Sequence, residues 1–155
     1  MSSMSQWTWL WFALGTVVCW GAYAPTIHEG GKHLGSPWKV ILCVGAAYFV
    51  LAVVVPLIIL RVQGTPLDFN ARGTAYASIG GALGALGAIF IVAALRTGGT
   101  PLIVPAIVFG GAPLVNVIVS SIYHPPSEKP NPLLYVGFLI AAIGAAMVLY
   151  FKPVR

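Results

Sequence analysis

Few side chains in this sequence can do chemistry, and they fall in two places. One is the segment IHEGGKHLGSPWK, which holds His28, Glu29, Lys32, His33 and Lys39. Two histidines five residues apart on a glycine-rich segment do not present ligands in a fixed geometry, so neither a metal nor a cofactor is expected there. His28 and Glu29 directly follow an aromatic, apolar stretch. Two readings are open for them: proton or solute contact at the mouth of a cavity, or exposure at a membrane surface. The second place is the interior of the apolar stretches, where Trp20, Tyr23, Tyr48 and Asn116 stand apart as hydrogen-bonding groups. Polar groups at such depth turn toward protein or water rather than lipid. They either line a substrate cavity or, in the case of Asn116, bond a neighbouring helix. The acidic set, Glu29, Asp68 and Glu128, is spread over connecting segments. No acid/base or nucleophile constellation can be built from that spacing, so an enzyme is not expected.

The elements that must position these residues follow from composition. The chain has 155 residues, of which 59% are hydrophobic and 7% charged, against about 25% charged in an ordinary soluble domain. Charge-free runs each reach the roughly 20 residues an α-helix needs to cross hydrocarbon. Their continuous apolarity lacks the alternation of a transmembrane barrel strand. The expected fold is all-α and integral to the membrane, a single domain over 1–155 with five transmembrane helices at about 6–26, 38–60, 73–95, 100–123 and 131–151. Trp7, Trp9 and Trp11 suit the headgroup level at the start of the first span. Gly30, Gly31, Gly35 and Pro37 make the following segment a turn region rather than a continued helix. The loop before the fifth span is broken by Pro125, Pro126 and Pro130, with Glu128 and Lys129 at the membrane surface.

The fourth span is the one around which the chain is organised. It carries Pro105, Gly110, Gly111 and Pro113, a set tolerated in a span only where neighbours satisfy the backbone groups that it frees. A kink at these residues is expected. Gly80, Gly84 and Gly87 in the third span, and Gly137, Ala141 and Gly144 in the fifth, recur at helical spacing and permit close approach of another helix. Cys19 and Cys43 have no metal or redox spacing and read as apolar thiols.

The net charge of +5 is dispersed and suggests no nucleic-acid partner. Five spans put Arg61, Arg72 and Lys129 on the side of the N-terminus, and Lys32, Lys39, Arg96, Lys152 and Arg155 on the other. Five positive side chains against three favour a cytoplasmic C-terminus, by a margin slight enough to permit insertion in both orientations. A bacterial inner membrane is the expected location.

In motif order the chain resembles a single repeat of the EamA-type unit of the drug/metabolite transporter superfamily. The resemblance is carried by Trp20-Gly21, Ala94-Leu95, Pro113, Glu128, and Gly137 with Gly144, and covers nearly the whole chain. It implies an EamA-like half-transporter, two copies of which supply the two inverted halves that longer members carry in one chain. The first span lacks the membrane-embedded glutamate of small multidrug-resistance transporters, so export of cationic drugs is not implied. The expected function is a secondary transporter of a small metabolite, working as an antiparallel homodimer by alternating access. The alternative is a structural or accessory transmembrane subunit of a larger membrane complex, with membrane lipid and other chains as its only partners.

Overall fold

A computed structural model describes residues 4–123, 125 and 131–151, the side chains of 4–7 and 149 excepted. Glu128, Lys129, Lys152 and Arg155 lie outside the described residues. Every regular element among those described is helical: α1 (Met4–Leu34), α2 (Pro37–Gln63), α3 (Ala71–Arg96), α4 (Ile103–Tyr123) and α5 (Pro132–Tyr150). Four of them, α1 to α4, are long and apolar enough to cross a bilayer. The protein is therefore integral to the membrane. α5 is equally apolar and shorter.

The local reasons for these helices lie in their ends. Gly35 ends α1 at φ +69 and Gly64 ends α2 at φ +65, the left-handed conformation that a side chain with a Cβ adopts only at a cost. Pro37 opens α2 and Pro132 opens α5 at positions where a missing N–H removes no helical bond. Asn70 caps α3, its Oδ1 accepting from the Gly73 N–H at 2.7 Å. Asn131 caps α5 in the same manner, accepting from the Leu133 N–H.

Three features depart from the sequence reading. First, the segment after the first span is not a turn region: α1 continues through Pro25, Gly30 and Gly31 to Leu34, and only Gly35 ends it. Pro25 removes a single rung of the ladder, the bond to the Gly21 carbonyl. Thr26 supports the damaged turn by donating its hydroxyl to the Ala22 carbonyl at 2.8 Å. Second, α2 widens into a π turn over Val50–Val54, where the Val55 N–H reaches back to the Val50 carbonyl. Pro56 follows directly and has no N–H for the Ala52 carbonyl, which makes the wider turn a local accommodation of that proline. Third, of the residues expected to bend the fourth span, Pro105 lies in the first turn of α4, where its missing N–H disrupts nothing. Pro113 is the interior proline, and it deprives the Phe109 carbonyl of its partner.

The chain divides into two compact units. One holds α1 as far as Gly21 together with α4 and α5; the other runs from Ala22 to Gly98. The division falls at the residue whose carbonyl Pro25 leaves unpaired in the helical ladder. In the first unit, α4 packs on α5. The backbone of Gly110 lies so close to Ala141 and Ala145 that a Cβ at Gly110 would overlap that of Ala145. The expected small-residue faces at Gly80, Gly84, Gly87, Gly137 and Gly144 have open space where a Cβ would stand. Gly110, read from sequence as part of a kink, is the glycine that brings two helices together.

In the second unit, α2 packs on α3. The core consists of Ala24, Val40 and the α3 residues Ala88, Ile91, Val92 and Leu95. The α3 set has the i, i+3, i+4, i+7 spacing of one buried stripe. Toward the start of α3, Gly84 continues that stripe and Gly80 and Gly87 run along its edge, at about 100° per residue. There the stripe is bare.

Candidate functional site

Each residue singled out from the sequence has a definite place. Trp20 and Asn116 belong to the unit of α1, α4 and α5; Tyr23, Tyr48, His28 and Glu29 belong to the other. The Trp20 ring meets Phe109 edge to face, with centroids 6.4 Å apart and planes at 89°. That contact docks the indole against the turn of α4 whose carbonyl Pro113 releases, and edge-to-face pairs of this kind hold ring orientation as well as burying area. Asn116, one turn beyond Pro113 and near the middle of α4, is exposed from its own chain. Tyr48, near the middle of α2, is 40% exposed. The Tyr23 hydroxyl oxygen is shielded from solvent, and the Tyr23 and Tyr48 hydroxyls lie within electrostatic reach of each other.

The ionisable end of α1 is more organised than a solvated loop. Glu29 accepts from Lys32 Nζ at 2.8 Å, and its other oxygen lies 3.7 Å from His33 Nε2. All three are exposed, so the pairing orients side chains without stabilising the helix much. Across from them, Arg96 ends α3 and donates from a terminal guanidinium nitrogen to the Gly35 carbonyl at 3.1 Å. This bond ties the α1–α2 turn to the end of α3.

Between these elements lies a cavity of about 140 Å³. Its polar lining is His28, Lys32 and Arg96, and Gly31 and Pro37 also border it. Its apolar wall is Ile27, Val40, Val92 and Leu95. Of the two residues expected at a cavity mouth, His28 lines it and Glu29 stands outside, reaching it only through Lys32. Sequence reasoning missed that Lys32 and Arg96 line one cavity with His28. The i, i+4 spacing of His28 and Lys32 was a visible signal once α1 is helical to Leu34; Arg96 is 61 residues from Gly35 and gave no local signal.

Among the described residues no three His, Cys, Asp or Glu side chains converge to hold a metal ion. Cys19 and Cys43 are free and exposed from the chain. Trp9 and Trp11 are exposed from the chain. Compared with family models, with curated proteins and with solved structures, the chain matches none.

Proposed function

We propose that this chain is one half of a small-solute transporter of the membrane, a five-span EamA-like repeat that completes its cavity against a second, antiparallel copy. The observation that carries the reading is the placement of Asn116. Its amide sits near the middle of a membrane-length helix, beyond an interior proline, and is not covered by its own chain. An amide left against hydrocarbon costs several kcal/mol, which a polar cavity or another chain removes. Tyr48, beside a π turn in α2, repeats the pattern. No ionised side chain lies mid-span, so the solute of such a cavity is uncharged or weakly charged. Alternating access would rock one copy against the other about these residues.

The alternative, an accessory subunit of a larger complex, is favoured by a different observation. Each unit carries its own uncovered glycines, Gly80, Gly84 and Gly87 in one and Gly137 and Gly144 in the other. Two such faces can take two different neighbours.

Water access separates the two readings without knowledge of the substrate. In a chain with Cys19 and Cys43 replaced by alanine, Asn116→Cys and Tyr48→Cys are expected to react in native membranes with a membrane-impermeant maleimide. Val115→Cys, next to Asn116 on an apolar face, is expected to stay unlabelled. Protection of all three positions would reject the aqueous cavity and leave the accessory role.

A further inference from the structure

From the cavity at the end of α1 we infer a binding site for a phosphate group, formed by Lys32, Arg96 and His28 and independent of transport. Its walls have one sign of charge. Lys32 and Arg96 are cationic, His28 adds a ring N–H, and no carboxylate lines the space. Neither cation is used up by its partner in the chain. The Lys32 ammonium has three N–H groups and gives one to Glu29; the Arg96 guanidinium has five and gives one to the Gly35 carbonyl. That last bond fixes the fork of donors at the cavity, an arrangement suited to a tetrahedral oxyanion.

Size narrows the ligand. About 140 Å³ is well below the roughly 300 Å³ at which pockets begin to enclose a whole metabolite. A phosphate group fits, with the rest of the molecule outside. The remaining wall, Ile27, Val92 and Leu95, is aliphatic, and all three helices that meet here end at a membrane surface. A phospholipid headgroup and a soluble phosphate compound share the chemistry.

The experiment uses the purified full chain in maltoside micelles. The probes are sodium phosphate, against chloride at equal ionic strength, and phosphatidylglycerol, against diacylglycerol, with one-to-one adducts read by native mass spectrometry and affinity by equilibrium dialysis. At least one phosphate probe is expected to bind one equivalent above its control. Binding by phosphatidylglycerol alone identifies a lipid site; displacement of that lipid by inorganic phosphate identifies a soluble ligand.

Lys32→Gln and Arg96→Gln are each expected to weaken binding by about tenfold. Lys32→Gln leaves the Arg96–Gly35 tie intact, so a failure of Arg96→Gln to fold does not decide the matter. Glu29→Gln frees the third Lys32 donor and is expected to tighten binding by about two- to fivefold. Lys39→Gln, a cation on the same end of the unit but outside the cavity, is expected to change nothing. The site is overturned if neither probe binds above its control, if Lys39→Gln weakens binding as much as Lys32→Gln, or if Glu29→Gln weakens it. None of these outcomes bears on the water access of Asn116, so the two readings fail separately.

Discussion

Gly110→Ala is expected to destabilise the protein and Gly111→Ala to stabilise it, although the two glycines are adjacent in one helix. A methyl group in a helix interior ordinarily helps, because glycine loses more backbone freedom on folding; the gain is about 0.5–1 kcal/mol. Gly111 has nothing within 4 Å of where its Cβ would stand and should show that gain. At Gly110 the new Cβ overlaps Ala145, itself part of a packed helix, and the Ala141 carbonyl lies close by. Neither neighbour is the end of a flexible side chain, so α4 and α5 must separate. Overpacking of this kind costs about 1–3 kcal/mol, enough to outweigh the propensity gain. Midpoints of unfolding in mixed micelles titrated with dodecyl sulfate, followed by circular dichroism, should move in opposite directions. Equal shifts would mean that Gly110 is not the contact between these helices.

The second large effect concerns the bare part of α3. The stripe buried at Ala88, Ile91, Val92 and Leu95 continues as Gly84, edged by Gly80 and Gly87, with open space where each Cβ would stand. Close approach of backbones is the main attraction available to helices in lipid, so a groove of this kind is of use only to another helix. Gly84→Leu should fill it, since nothing in its own chain lies within 4 Å of the new Cβ. The monomer is expected to keep its helix content and its unfolding midpoint, while self-association weakens on the order of tenfold or more, about 1.4 kcal/mol or above. Resonance energy transfer between labelled copies in vesicles, diluted with lipid, measures this directly. Unchanged transfer would show that the stripe is not the contact between copies.

Much of the architecture was legible because apolarity in a membrane protein is written in long runs. The absence of charge from Gly73 to Leu95 alone defines most of α3. The ends were harder. Gly30 and Gly31 are turn residues in water, but in α1 the helical bond is the only partner for their backbone groups near lipid, and the helix runs on to the first glycine that takes a positive φ. Pro105 and Pro113 look alike in sequence and differ in consequence by their distance from the start of α4. The π turn in α2 follows from Pro56, yet a proline predicts a disturbance and not its form.

The site was legible residue by residue and not as a set. Trp20, Tyr48 and Asn116 stand out by type, but Phe109 as the partner of Trp20 depends on tertiary contact. The cationic cavity depends on a bond from Arg96 to a backbone carbonyl, and a carbonyl carries no sequence signal. For His28 the sequence leaves two readings open, a cavity mouth or a membrane surface, because it directly follows the aromatic half of α1. The cavity it lines, however, is bounded by α2 and α3 and lined also by the cations Lys32 and Arg96.

The proposed homodimer completes the membrane core of this chain with a second copy of itself. The most direct measurement is the native mass, with subunit identification, of the protein extracted gently from its own membrane. A particle with two copies of this chain and no other polypeptide is expected. A particle in which single copies are held in fixed ratio with other polypeptides would contradict it, and would assign Asn116 and the glycine stripe of α3 to contacts with those subunits.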